Sequence, residues 1–166
     1  MYLDLANEAM RSKTFPDGMK EAKLVLLPKP TKNTKGDTVA YRPTSLLGVF
    51  GKIMEGMVAE RINGEMREKG DLNERQYGFR VGRSMIGAME EVMGIVQNAT
   101  CKAAQHKKFC ALVAIDIRNA FNTARWSGIL GEMRNRGIGE QLVELVRSYL
   151  TGRTLVVEKG HRMNLT

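Results

Sequence analysis

The chain has 166 residues, enough for one domain of ordinary size, and its 43% hydrophobic and 27% charged content is that of a folded soluble protein. Lysine and arginine outnumber aspartate and glutamate 26 to 18, so the net charge is +8 and the pI near 9.7; this favours a polyanionic partner, nucleic acid before a membrane surface. The apolar run near the middle, Cys110–Ile115, is far too short to span a membrane, and Asp4 and Glu8 stand where a signal peptide would be basic and then apolar.

In chain order, Leu3, Leu5, Ala6, Ala9 and Met10 predict a short amphipathic helix, ended near Phe15-Pro16-Asp17-Gly18. Ala22–Leu27 is a compact apolar strand stopped by Pro28-Lys29-Pro30. The polar stretch Thr31–Val39, with Lys32, Lys35 and Gly36, reads as a hairpin loop. Arg42-Pro43-Thr44-Ser45-Leu46 is the returning strand; its proline makes it an edge strand. Val49, Phe50, Ile53, Met54, Met57, Val58, Ile62 and Met66 follow helical spacing, and Gly70-Asp71 ends that helix. A second long helix fits Ser84–Ala104, with Ser84 as N-cap and Ile86, Met89, Val92, Met93 and Val96 on its buried side. Phe109–Asp116 reads as a strand buried on both faces, Trp126–Arg136 and Glu140–Leu150 as helices split at Gly137-Ile138-Gly139, and Thr154–Glu158 as a last strand. Helices and strands mixed in this order give an α/β or α+β chain, with no internal repeat and no low-complexity tract. Cys101 and Cys110 offer no disulfide framework and fit a reducing compartment; His106 and His161 stand alone, without metal-ligand spacing.

The octapeptide Ala114-Ile115-Asp116-Ile117-Arg118-Asn119-Ala120-Phe121 carries the most chemistry. An ionised carboxylate closing a buried strand is costly unless something pairs with it, and a metal ion is one such partner. A strand-end carboxylate followed five residues later by an aromatic is what nucleotide polymerisation needs, the one to hold Mg²⁺ and the other to pack beside a sugar. Asp116 reads equally as a capping residue that starts the next turn.

Four segments in this order resemble the reverse transcriptase of non-LTR (LINE-type) retrotransposons, the arthropod elements in particular. They are Phe15-Pro16 with Lys23–Pro30; Tyr41–Leu47 with Gly51-Lys52-Ile53-Met54-Glu55; Gln76-Tyr77-Gly78-Phe79-Arg80-Val81-Gly82-Arg83-Ser84; and Ala114–Phe121 with Ser148–Arg153 behind it. The resemblance implies a right-hand polymerase fold: residues 1–105 as fingers with helices reaching into the palm, and 106–166 as the N-terminal half of an incomplete palm. The family's later Ala-Asp-Asp hairpin and its Gly-x-Pro-Gln-Gly segment are not in this sequence, and there is no endonuclease domain. The expectation is therefore a piece of the enzyme, inactive alone. Asn122 stands where many relatives have Asp.

The implied reaction is attack of a primer 3′-hydroxyl on the α-phosphate of a deoxynucleoside triphosphate, directed by an RNA template on a DNA primer and assisted by two Mg²⁺ ions. By the same resemblance Asp116 is the catalytic carboxylate and metal ligand, with the backbone carbonyl of Ile117 as a second oxygen. Lys29 and Arg42 hold the triphosphate, with solvated surface charges as the alternative. Phe121 is the gate that rejects a 2′-hydroxyl, or else a core aromatic. Arg80 and Arg83 grip template phosphates, or pair with Glu74 or Glu90. Tyr77 and Phe79 pack the fingers or stack near the template. The remaining partner that the resemblance implies is the rest of the same polypeptide, with no membrane; the sequence itself gives no location, and the resemblance implies a cytoplasmic and nuclear one. The competing function is a non-catalytic nucleic-acid-binding remnant of a truncated element; an unrelated small regulatory protein is the third.

Overall fold

The computed structural model describes residues 2–29, 41–70, 72–100, 109–117, 120–157 and 162–165. The hairpin tip Thr31–Val39, Asp71, Cys101, His106, Arg118, Asn119 and His161 lie outside the described residues. The chain divides into two compact units, residues 1–69 with 124–166, and residues 70–123.

The first unit is a sheet with four helices. Helix α1 (Tyr2–Ser12) carries Asp4 in its first turn and Arg11 in its last, each at the favourable end of the helix dipole. It closes with Lys13 in the left-handed region at φ 55° and the Thr14 amide donating to the Ala9 carbonyl at 3.1 Å, a Schellman cap without its usual glycine. A 3₁₀ turn over Asp17–Met19 leads into strand β1 (Glu21–Pro28). β1 pairs antiparallel with β2 (Tyr41–Leu47), Ala22 opposite Leu47 and Leu27 opposite Arg42. It pairs parallel with β3 (Arg153–Val156), which pairs antiparallel with β4 (Arg162–Leu165). The sheet order β2-β1-β3-β4 puts the Pro43 strand at an edge, where a missing backbone donor is tolerated.

Helix α2 (Val49–Glu68) keeps part of its apolar periodicity inside. Met54 and Val58 are buried, while Val49, Phe50 and Ile53 in its first turns are exposed. Helices α5 (Trp126–Asn135) and α6 (Glu140–Leu150) are joined by Gly137-Ile138-Gly139. Gly137, at φ 69°, allows a full Schellman cap: its amide donates to Arg134 O at 2.8 Å and that of Ile138 to Met133 O at 2.9 Å. The cap drops Ile138 into a cluster with Leu130, Leu142 and Val143. A second cluster joins Ala6, Ala9, Phe15, Met54, Val58 and Leu145, and a third joins Ala22, Leu47 and Leu155. Val143 and Leu145 are fully buried, each worth roughly 1.5–3 kcal/mol of transfer free energy.

The second unit holds helix α3 (Met85–Thr100) and the single turn α4 (Ala120–Thr123). Ser84 caps α3 as the sequence predicts, its Oγ accepting the Gly87 amide at 3.1 Å. Two expectations fail here. The α3 face bearing Ile86, Met89, Val92 and Met93 is exposed, because among the described residues nothing packs across it. Phe109–Asp116 is not a strand, and Phe109, Leu112, Val113 and Ile115 are exposed. A strand is stabilised by a neighbouring ladder, and the described residues of this unit contain none.

Candidate functional site

In the first unit the site begins with the β1–β2 ladder. Arg42 sits opposite Leu27, and Lys29 follows one residue beyond β1. Side chains alternate along strands, so Lys23, Val25 and Leu27 share one face with Arg42, Thr44 and Leu46, and Lys29 continues that parity. The sequence thus brings Lys29 and Arg42 to the same end of one hairpin. At the foot of this face is an open groove of about 830 Å³, with Lys23, Leu46, Phe50 and Val156 on its walls. Gly51 fixes how closely α2 approaches its floor: a Cβ there would lie 3.1 Å from the Met19 carbonyl oxygen.

Behind the ladder is a cluster whose roles sequence reading did not assign, although every member lies in the motif segments. The Tyr149 hydroxyl donates to Glu55 Oε1 at 2.5 Å. The Arg153 guanidinium lies 4.3 Å from the centre of the Tyr149 ring, and the Phe15 ring meets that ring edge-on at 4.9 Å. The Phe15 amide donates to Ser148 Oγ at 2.9 Å. Burial, reinforced by the Glu55 hydrogen bond, holds the Tyr149 pKa above the ordinary tyrosine value. The usable signal was the run Ser148, Tyr149 and Arg153: a hydroxyl and an aromatic side by side at the end of a helix, with a cation four residues beyond the ring.

In the second unit the Gln76–Ser84 segment is a folded loop. Asn73 organises its entry, taking the Arg75 amide on Oδ1 at 2.9 Å and the Arg80 guanidinium on its carbonyl at 2.8 Å. Arg80 therefore holds a backbone oxygen rather than Glu74 or Glu90. Arg83 lies 5.3 Å over the Tyr77 ring, a cation–π contact. The Tyr77 hydroxyl donates to Glu91 Oε2 at 2.5 Å, and Arg75 Nε meets Glu91 Oε1 at 2.9 Å. This hydrogen bond raises the Tyr77 pKa and lowers that of Glu91. Tyr77 is thus tied into the loop, whereas Phe79 is 95% exposed at φ 55°. Phe121 is 83% exposed on α4, so it is not a core aromatic; its ring meets that of Phe79 edge-on, centroids 6.2 Å apart.

Asp116 is exposed just before α4, with Ile117 exposed beside it. Among the described residues no group of three or more His, Cys, Asp or Glu side chains is placed to hold a metal ion. A single carboxylate does not make a two-metal site, so the described residues do not by themselves fit the pair of Mg²⁺ ions. Nor, among them, is any helix long and apolar enough to cross a membrane.

Residues 27–165 match the family model described as reverse transcriptase (RNA-dependent DNA polymerase). The chain is 30% identical over 158 residues, 95% of its length, to the probable RNA-directed DNA polymerase from transposon BS of Drosophila melanogaster, of which it covers 17%. It is 30% identical over 158 residues, again 95% of its length, to the RNA-directed DNA polymerase from mobile element jockey of Drosophila funebris, of which it covers 17%. Against the jockey polymerase of Drosophila melanogaster it is 32% identical over 143 residues, 86% of this chain and 15% of that protein. The chain therefore spans about 17% of the first of these relatives and similarly little of the others.

Proposed function

We propose, from the premise that this chain belongs to the reverse transcriptase (RNA-dependent DNA polymerase) family, among those of non-LTR retrotransposons, that it works as part of a longer polymerase that extends a DNA primer on an RNA template. The observation that carries this is the family match across residues 27–165, which takes in Lys29, all of β2 with Arg42, and the Asp116 segment. In this reading residues 1–105 serve as fingers and 106–166 as the first half of a right-hand palm. Lys29 and Arg42 bind the triphosphate of the incoming deoxynucleotide, and their shared end of the β1–β2 hairpin supports that role. Arg80 and Arg83 bind template phosphates, Phe121 stands beside the sugar, and Asp116 with the Ile117 carbonyl supplies oxygen ligands. The other ligands for a divalent metal come from elsewhere in the polypeptide.

A second reading, a nucleic-acid-binding segment without catalysis of its own, is favoured by the lack, among the described residues, of any group of three or more His, Cys, Asp or Glu side chains placed to hold a metal ion. Primer extension on an RNA template, run with this chain and with the longer polypeptide, separates the two. Extension by the longer polypeptide, abolished by Asp116→Asn, supports the first; template binding with no extension by either supports the second.

A further inference from the structure

We propose that Phe79 is a specificity-determining residue: its ring braces the Phe121 ring and thereby sets how strongly a deoxynucleotide is preferred over a ribonucleotide. The inference rests on the reading of Phe121 as the residue beside the sugar.

Among the described residues only two non-glycine residues have positive φ, Lys13 and Phe79. Lys13 is there because it caps α1. Phe79 caps no helix, and a bulky aromatic in the left-handed region carries a backbone cost. Burial does not offset that cost, since the side chain is 95% exposed. The loop on both sides is anchored, Tyr77 by Glu91 and Arg80 by the Asn73 carbonyl. What the backbone geometry achieves is to deliver the Phe79 ring to Phe121, edge-to-face, with an interplanar angle of 88°. Phe121 needs such a brace. It is 83% exposed on a helix of four residues, too short to hold a side chain rigid. A gate that turns freely cannot reject a single hydroxyl group; one held by an aromatic edge at a fixed angle can.

The test has two arms. In this chain, labelled with 4-fluorophenylalanine, the Phe121 signal is assigned by Phe121→Leu. Phe79→Asn removes the ring with a residue suited to positive φ, and Phe79→Leu removes it while keeping bulk. Both should narrow the Phe121 ¹⁹F signal and shift it as the freed ring averages its surroundings, whereas Phe79→Tyr should leave it as in the parent. An unmoved Phe121 signal in both ring-removing variants overturns the proposal. In the longer polymerase, Phe79→Asn should lower the dNTP-over-rNTP preference by about two- to tenfold, the span that one aromatic pair supports, and Phe79→Tyr should restore it. If Phe121→Ala leaves the preference unchanged, the gate reading itself fails. If Phe121→Ala changes it and Phe79→Asn does not, the gate stands and the bracing role falls alone.

Discussion

The Tyr149 hydroxyl donates to Glu55 Oε1 at 2.5 Å, tying the last turn of α6 to the first half of α2. The same ring lies under Arg153 of β3 and against Phe15 of the α1–β1 connection, so one side chain at the α6–β3 junction meets two segments far away in sequence, α2 and the Phe15 connection. Tyr149→Phe should keep the ring contacts and cost about 1 kcal/mol, the net worth of one hydrogen bond. Tyr149→Ala should cost about 3 kcal/mol, because it also removes half-buried aromatic surface. Urea denaturation of the two variants against the parent checks the ordering; equal losses would show that the hydroxyl carries the effect and the ring does not.

The same residue makes a pH prediction. Burial first, and the Glu55 hydrogen bond second, raise its pKa above 10.0. A group whose folded pKa is raised contributes stability that is complete below the unfolded value and is lost as pH rises through the folded one. The parent should therefore weaken more steeply than Tyr149→Phe once pH passes 10.0. Thermal melts of both chains on either side of that pH decide it, and parallel curves would contradict the assignment.

The α5–α6 turn depends on α2. Glu65 Oε2 accepts the Gly139 amide at 2.7 Å, and Lys69 Nζ donates to the Gly137 carbonyl. Gly137→Ala should cost about 1–2 kcal/mol, since φ 69° is expensive for any residue with a Cβ. Glu65→Ala should cost about 1–3 kcal/mol by removing the amide's acceptor, and Glu65→Gln much less. A destabilised Glu65→Gln as large as Glu65→Ala would mean that charge, not the hydrogen bond, holds the turn.

These contacts mark how far the sequence could be read. Helices α1, α2, α5 and α6 were legible because apolar spacing along them meets real partners, β1 because its apolar run stops at Pro28, and β2 as the strand returning from the polar loop. The edge position of β2 followed from the missing donor of Pro43. β4 was not read as a strand: Arg162, Met163, Asn164 and Leu165 do alternate polar and apolar, but four residues are too few for that pattern to stand out. The failures share one cause. The Phe109–Asp116 run and the α3 face have the composition of buried elements, but composition says only that a surface seeks cover and not what provides it. Of the candidate site, Lys29 and Arg42 were placed together by simple hairpin reasoning. The Phe79–Phe121 pair was invisible, because it joins a loop to the single turn of α4 and depends on a φ angle.

Those uncovered surfaces predict association. Met89 and Met93 on α3, and Leu112, Val113 and Ile115 in the motif segment, are all exposed. Contiguous apolar surface of this kind drives self-association. The isolated chain should show a scattering mass that rises with concentration, and Met89→Lys with Met93→Glu should reduce the rise. A concentration-independent monomer with a cooperative melt would sink the idea.

Binding to single-stranded RNA should be weak and salt-dependent, as the net charge of +8 demands. Arg42→Ala, and separately Arg83→Ala, should each flatten the logarithmic salt slope by roughly one unit if each side chain touches one phosphate. Arg83→Ala also removes the cation over Tyr77, so the loop is checked by the Tyr77 signal in NMR spectra. An affinity indifferent to salt would rule out phosphate contact as the source of binding.

Asp116 offers the sharpest test of the catalytic reading. Among the described residues no group of three or more His, Cys, Asp or Glu side chains is placed to hold a metal ion, so the isolated chain should not extend a primer on poly(A) above the buffer control. In the longer polymerase, Asp116→Asn keeps size and polarity while removing charge. Loss of one positioned electrostatic group at a reacting phosphate costs on the order of 10²–10³ in rate, and a metal ligand more. Template affinity should stay near that of the parent, because the change leaves Lys29, Arg42, Arg80 and Arg83 in place. Phe121→Ala should do the opposite, sparing the rate with deoxynucleotides more than it spares the preference for them. Near-normal extension by Asp116→Asn would move the catalytic carboxylate elsewhere. A fall in affinity matching the fall in rate would mean that Asp116 shapes the binding surface and not the chemistry.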